Sequence, residues 1–299
     1  MTATLAGTGR AAPPRAAGRR PGRWQRPAVA PTVLLLLGAA YCLAPVLWVL
    51  IAATKNNSQL FSTFTFAPDG SLWSNIRSLS GYQGGIFWAW MLNSALYAGG
   101  GALVCAALSG LTGYALAKYR FRGRALLVNM LLAGVLVPGV VLAIPQYLLL
   151  AKVGLTNTYW SVLLPSTISP FGIYLGIIYA RAAVPDELIE SARIDGGGEG
   201  RIFASIAVPL MSPGLLTIFL LQFVAIWNNF LLPFIMLDDT GKYPLTVGLY
   251  TLLSRGASAP ALYTLVITGA LLSILPLIAL FLSLQRYWRV DLLSGSVKA

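Results

Sequence analysis

The stretch VAPTVLLLLGAAYCLAPVLWVLIAA (residues 29–53) is apolar throughout and carries no charged side chain. A helix of about 20 apolar residues is long enough to cross the hydrocarbon core of a bilayer. A cleaved signal peptide would have a shorter apolar core followed by small residues at a cleavage site, and neither is found here. The stretch therefore predicts a first membrane span.

Five further apolar stretches follow in a chain that is 57% hydrophobic, with a mean hydropathy of +0.73. They are continuous rather than alternating, which is typical of spanning helices and not of barrel strands. The sequence thus predicts an all-α membrane protein with six transmembrane helices. The predicted spans are residues 30–54, 90–117, 125–150, 160–180, 213–237 and 261–285.

The placement of cations predicts the orientation, because cytoplasmic segments carry an excess of Lys and Arg. Sixteen cations precede the first span, follow the second or sixth, or lie between the fourth and fifth, whereas five occupy the other segments. Both termini are therefore predicted to be cytoplasmic. The chain is divided into a basic, disordered amino-terminal arm (1–29), a six-span domain (30–285) and a carboxyl-terminal tail (286–299). The net charge of +12 indicates anionic membrane lipid as a partner, and no nucleic acid.

Several functions are disfavoured by what the spans lack. None of the nine acidic residues lies in a predicted span and the chain has no histidine, so a proton relay is hard to build. An ion-coupled secondary carrier for a small polar solute remains the alternative, since sodium can bind backbone carbonyls. A structural membrane scaffold is a third possibility.

The chain also lacks the motifs of an enzyme. Its Gly241–Lys242 pair is followed by tyrosine, whereas a nucleotide-binding loop requires Ser or Thr there. No catalytic or metal-binding pattern is present, and Cys42 and Cys105 are predicted to be small apolar packing residues. If the protein does work, the energy must come from a partner.

One segment between the fourth and fifth spans, residues 181–214, is unusually polar. Pro185, Asp186 and Glu187 favour the start of a helix, and Asp195–Gly196 favours its end. A second short helix is predicted from Glu199 to Pro209. Two short helices at an angle would form a compact knob that can enter a cleft on a partner protein. The alternative is an amphipathic loop that lies at the lipid interface.

The polar segment resembles the signature loop of permease subunits from ATP-binding-cassette importers. That pattern is Glu-Ala-Ala, three residues, Gly, nine residues and Ile-x-Leu-Pro. Here Glu190-Ser191-Ala192 is followed at the same spacing by Gly196 and by Ile-Ala-Val-Pro (residues 206–209). Serine replaces the first alanine of the pattern, and valine replaces its leucine.

Three other stretches resemble the carbohydrate-uptake branch of these importers, in particular its six-span maltose-type subunit. They are LSGLTGYALAKYRFRGR (108–124), FVAIWNNFLLPFIML (223–237) and the ending SLQRYWRVDLLSGSVKA (283–299). The tail departs from the branch at Asp291, where glycine is common, and at Ser296, where alanine is. The resemblance extends over residues 31–299 and leaves out the basic arm.

The resemblance implies a cytoplasmic coupling-helix loop (about residues 182–210) between helices 4 and 5 of a subunit in the bacterial plasma membrane. It also implies a second, different permease subunit, two ATP-binding-cassette ATPase subunits and an extracytoplasmic solute-binding protein. This chain would bind no cofactor, and ATP and Mg would sit in the ATPases. Residues implied to couple to the ATPase are Glu187, Leu188, Glu190, Ser191, Ala192, Arg193, Ile194, Asp195 and Gly196.

Within this set, Glu190 and Arg193 are expected to make polar contacts. Leu188 and Ile194 are expected to provide apolar anchoring, and the small residues to allow close approach. The segments 56–87 and 238–260 are placed outside, where they would meet the binding protein.

A translocation pathway would also need polar side chains within the spans. The candidates are Asn93, Gln222, Trp227, Asn228 and Asn229, since amides suit sugar hydroxyls and an aromatic face suits sugar C–H groups. Hydrogen bonding between helices is the alternative role for such amides. Trp88 and Trp90 are expected in the aromatic belt at the membrane interface.

Overall fold

The computed structural model describes residues 29–62, 66–256 and 258–294, with side chains up to residue 285. Within these ranges all regular structure is helical, which confirms the all-α prediction. The predicted basic arm lies outside the described residues except for Val29, and so do residues 295–299 of the tail. The helices are α1 Val29–Ala53, α2 Asn57–Ser62, α3 Leu72–Gly81, α4 Ile86–Lys118, α5 Arg124–Leu136, α6 Gly139–Lys152, α7 Tyr159–Ser166, α8 Pro170–Ala183, α9 Asp186–Ile194, α10 Glu199–Ile202, α11 Val208–Trp227, α12 Leu231–Met236, α13 Leu245–Gly256 and α14 Ala261–Ser294.

The chain divides into two units, with the boundary between Val46 and Leu47 inside α1. In the described part of the chain, five helical segments are long and apolar enough to cross a membrane, and a bent helix pair brings the number to as many as six. The multi-pass prediction is thereby confirmed. The five segments are Val29–Ala53, Ile86–Lys118, Tyr159–Ala183, Glu199–Trp227 and Ala261–Gln285.

The predicted third span (125–150) is not one straight helix. α5 and α6 meet at an angle of 104°. Between them, Val137 has an extended backbone (φ −76°, ψ 120°) and Pro138 follows. A proline disfavours helical geometry in the residue before it and has no N–H to donate, so the helix ends there.

The predicted fifth span (213–237) is displaced along the chain. The helix begins at Glu199, passes through a π-helical segment, Phe203–Ala207, and ends at Trp227, with α12 following separately. The second short helix that was predicted to end at Pro209 is therefore the first part of this span. Pro209 has no N–H to donate to the preceding turn. In the π-helical segment before it, the N–H of Val208 donates to the carbonyl of Phe203, five residues back, where an α-helix would bond four residues back.

α4 is a central helix of the second unit, and it packs against both α8 and α11. Its backbone approaches α8 so closely that a Cβ atom on Gly113 would lie 2.5 Å from the carbonyl carbon of Gly176. Small residues allow this kind of backbone contact between spans. Trp90 on α4 is only 2% exposed, so the prediction that it lies in the interfacial belt is wrong.

Candidate functional site: a helical knob between two spans

α9 is the centre of the polar segment, and with residues 195–198 and α10 it forms what we call the knob. Pro185 is the residue before α9, and Asp186 and Glu187 occupy the first turn. Negative side chains are stabilising at the positive end of the helix dipole. The predicted start of this helix is confirmed.

The knob turns sharply after α9. The N–H of Gly197 donates to the carbonyl of Ala192 (2.8 Å), and the N–H of Gly196 donates to that of Arg193 (3.0 Å). Together with the left-handed φ of +83° at Gly196, these bonds define a Schellman motif. The end predicted at Asp195–Gly196 is confirmed, and its geometry depends on glycine.

The inner face of the knob is apolar. Ile189 is 3% exposed and belongs to a buried cluster that includes Tyr114 of α4, Ala180 of α8 and Met211 of α11. Burying one such side chain contributes about 1.5–3 kcal/mol. The knob is therefore fixed to three of the membrane-spanning segments rather than suspended on a loose loop.

Lys118, the last residue of α4, links that span to the start of α9. Its Nζ atom donates to Oδ1 of Asp186 at 2.7 Å and also to the carbonyl oxygen of Val184. The hydrogen bond from Lys118 lowers the pKa of Asp186 below its usual value. The contact is thus present at neutral pH and is lost only as the pH falls through that lowered pKa.

Glu199 makes a second link between the same helices. One carboxylate oxygen accepts from Nε of Arg193 (2.7 Å), and the other accepts from the hydroxyl of Tyr119 (2.6 Å). Burial, and then the hydrogen bond to Glu199, raise the pKa of Tyr119 to about 12. The hydroxyl therefore stays protonated and donates over the physiological pH range.

The outer face of the knob carries the predicted coupling residues. Ile194 is 86% exposed and Leu188 is 44% exposed, an unusual display of large apolar side chains on a polar segment. Ala192 is half-buried. The other predicted coupling residues are all exposed: Glu187, Glu190, Ser191, Arg193, Asp195 and Gly196.

The predicted pathway residues do not converge on one place. Nδ2 of Asn93 donates to the carbonyls of Gly241 (2.8 Å) and Tyr243 (3.1 Å), and Gln222 donates to the carbonyl of Ser166 (3.2 Å). Those two amides join separate parts of the bundle. Trp227 is 4% exposed and stacks on a phenylalanine, and the exposed Asn228 donates to its own helix.

Asn229 lies in a different environment from the other candidates. It lines a cavity of about 360 Å³ next to the bend between α5 and α6, together with Gln146 and six smaller or apolar residues. Gln146 was missed from the sequence, although it is an amide inside an apolar stretch and meets the criterion that selected Asn93. The sequence also does not indicate the contacts that Lys118, Tyr119 and Glu199 make in the knob. Lys118 and Tyr119 bond to residues 68 and 80 positions away, and Glu199 bonds to Arg193, six positions away across a turn.

Comparisons with known proteins agree with this architecture. Residues 102–289 match the model of the family described as binding-protein-dependent transport system inner membrane component. The arabinooligosaccharides transport system permease protein AraQ of Halalkalibacterium halodurans is 32% identical, covering 89% of this chain and 96% of the relative. The lactose transport system permease protein LacG of Rhizobium radiobacter is also 32% identical, covering 89% and 94%.

A solved structure shares the fold. It is that of a bacterial ABC transporter involved in the import of the acidic polysaccharide alginate, with a TM-score of 0.74 at 23% identity over 87% of this chain and 95% of that one. The chain belongs to the family of binding-protein-dependent transport system inner membrane components. The resemblance to ATP-binding-cassette importer permeases is confirmed, and the ion-coupled carrier is not favoured. Members of this family are transport permeases rather than enzymes.

Proposed function

We propose that this chain is a permease subunit of an ATP-driven, binding-protein-dependent importer of carbohydrate, and that the carbohydrate is an oligosaccharide. The observation that carries the proposal is the knob. Its inner face, which we call the base, is apolar and buried, and its outer face has an exposed tip formed by Leu188, Glu190 and Ile194. The relatives named for arabinooligosaccharides and lactose support the substrate class.

The importer would contain partners that this chain does not supply. Two ATPase subunits would bind ATP and Mg, a second and different permease subunit would complete the pathway, and an extracytoplasmic binding protein would deliver the solute. The family description, which names dependence on a binding protein, supports the last of these.

The orientation follows from the two ends of α4. The knob contacts Lys118 at the carboxyl end, whereas residues 240–245 contact side chains near the amino end. This arrangement supports opposite sides of the membrane for the two segments. Because cytoplasmic segments carry an excess of Lys and Arg, and the cations lie on the side of the knob, we infer that the knob and both chain termini are cytoplasmic.

The knob transmits motion as a rigid body. Its apolar tip residues would enter a cleft of the ATPase, and Glu190 would pair with a basic group on the cleft's rim. When ATP closes the ATPase subunits, the knob moves with them. Because its base is packed against α4, α8 and α11, these spans move too and expose the pathway to alternate sides.

The coupling role predicts a specific defect in Glu190→Lys. ATP-dependent uptake by the reconstituted importer is expected to be lost, with normal insertion, because Glu190 is exposed on the outer face of the knob. Glu190→Gln keeps the size without the charge and should be intermediate. Wild-type uptake by Glu190→Lys would contradict the coupling role.

The pathway proposal rests on the cavity beside the bent helices. Its two amides, Asn229 and Gln146, would offer donors and acceptors to sugar hydroxyls. In the same assay, Asn229→Leu is expected to lower uptake while ATP hydrolysis still responds to the binding protein. An unchanged uptake rate would remove Asn229 from the pathway.

A further inference from the structure

We propose that α4 is the rod that transmits movement of the knob to the segment of residues 238–245 on the opposite side of the membrane, which we call the outer segment. Lys118 is the main positioning residue at the knob end, and Asn93 is the main one at the outer end. The inference rests on the proposed function, since it assumes that an ATPase moves the knob.

The outer end of α4 holds the outer segment by its backbone. Four side chains at positions i, i+3, i+4 and i+7 form one face of the helix, as the helical period requires. Three of them donate to backbone carbonyls of the outer segment. Trp90 Nε1 donates to the carbonyl of Thr240 (2.8 Å), Asn93 Nδ2 to the carbonyls of Gly241 (2.8 Å) and Tyr243 (3.1 Å), and Tyr97 Oη to the carbonyl of Lys242 (2.9 Å). The fourth, Ser94, accepts through its Oγ from the N–H of Leu245 (2.7 Å).

The α4 side chains that make these contacts are buried, although the backbone that they hold is partly exposed. Trp90, Asn93, Ser94 and Tyr97 are each 5% exposed or less. A buried polar side chain that loses its hydrogen-bond partner carries a desolvation penalty. The outer segment therefore follows this face of α4 rather than sliding over it.

The outer segment is also stiff in itself. Asp239 accepts from the N–H of Gly241 (2.9 Å) and from Nζ of Lys242 (2.8 Å). The side-chain oxygen of Asn157 accepts from the N–H groups of Asp238 (3.1 Å) and Asp239 (3.0 Å). A segment braced in this way moves as a unit when its support moves.

The other end of α4 is fixed to the knob. The Lys118 side chain is 8% exposed and binds the start of α9 at two atoms, as described above. The adjacent Tyr119 binds Glu199 at the start of the next helix. Both flanks of the knob are thus attached to one helix end.

Between its two ends, α4 is uninterrupted. It is a single helix of 33 residues, which corresponds to a length of about 50 Å. Among the candidate spans in the described part of the chain, it alone has neither a proline inside nor a break, features that kink helices. A single helix without a break or an internal proline therefore connects the two clamped segments.

The rod is tested with a thiol reporter on the outer segment of the assembled importer. Thr240 is exposed, so Thr240→Cys is introduced after Cys42, the exposed native cysteine, is changed to serine. The rate of modification by a membrane-impermeant thiol reagent is measured with and without Mg-ATP and vanadate. ATP is expected to change this rate in the otherwise wild-type chain.

Lys118→Gln is then expected to abolish the ATP-dependent change in rate, and Lys118→Arg to restore it. Arg122→Gln, in the exposed turn after α4, should leave the change intact. Should Lys118→Gln fail to assemble, Tyr119→Phe replaces it, because it deletes only the hydroxyl that binds Glu199.

Two results would overturn the rod while leaving the proposed function standing. One is ATP-driven uptake by the wild-type chain without any change at Thr240→Cys. The other is a normal ATP-dependent change in the Lys118→Gln or Tyr119→Phe chain. A wild-type complex that transports solute without ATP would instead contradict the proposed function itself.

Discussion

Gly196→Pro is expected to abolish ATP-driven uptake while leaving membrane insertion unchanged. Gly196 has φ +83°, whereas proline is fixed near −65°, and its N–H donates to the carbonyl of Arg193. Proline therefore removes both the conformation and the bond that end α9. The knob would lose its shape while the apolar spans that direct insertion keep their sequence. Uptake into proteoliposomes and the amount of inserted protein measure the two effects.

A matched control lies two residues further along the chain. Gly198 has φ −70° and ψ 152°, which proline adopts readily, and a Cβ atom there meets nothing within 4 Å. Gly198→Pro should therefore transport normally. Equal transport by both proline variants would mean that the shape of the knob does not matter for coupling.

Gly113→Ala is expected to destabilise the helix bundle. The added methyl group would lie 2.5 Å from the backbone of Gly176, and a backbone cannot move aside as a flexible side chain can. Overpacking of this kind costs about 1–3 kcal/mol. Because Tyr114, the next residue, belongs to the cluster beneath the knob, the shift of α4 against α8 should also lower uptake.

Gly99→Ala is the control for this prediction, since it adds the same methyl group to the same helix. A Cβ atom on Gly99 meets nothing within 4 Å, and alanine is the better helix former. Thermal unfolding in detergent should show a lower midpoint for Gly113→Ala alone. If the two variants unfold at the same temperature, the close contact between α4 and α8 does not contribute to stability.

The sequence predicted those features that depend on local composition. Apolar stretches located the spans to within a few residues where the helix is continuous, as in α1 and α4. The start and end of α9 were predictable because Pro185 and Gly196 act on the backbone at their own positions. The signature spacing identified the knob as the segment to consider.

Other features could not be predicted, because they depend on long-range packing. Val137 and Pro138 mark a possible break, but a proline such as Pro145 lies within α6 without ending it, so the 104° bend was not foreseeable. Asn93 and Gln222 were selected as pathway amides, and only the fold shows that each bonds a backbone carbonyl far away in the sequence. Lys118 is one of the cations that follow the second predicted span, and its partner Asp186 is equally remote in the sequence.

The central claim, that the knob engages an ATPase, is tested most directly by a photo-crosslinking amino acid at Ile194, the tip residue that is 86% exposed. Phe121, which is 45% exposed in the turn after α4 and outside the knob, serves as the control position. Illumination of native membranes is expected to join an ATP-binding-cassette ATPase to position 194 and not to position 121. Crosslinks from position 194 to lipid alone, in membranes that carry out uptake, would contradict the claim.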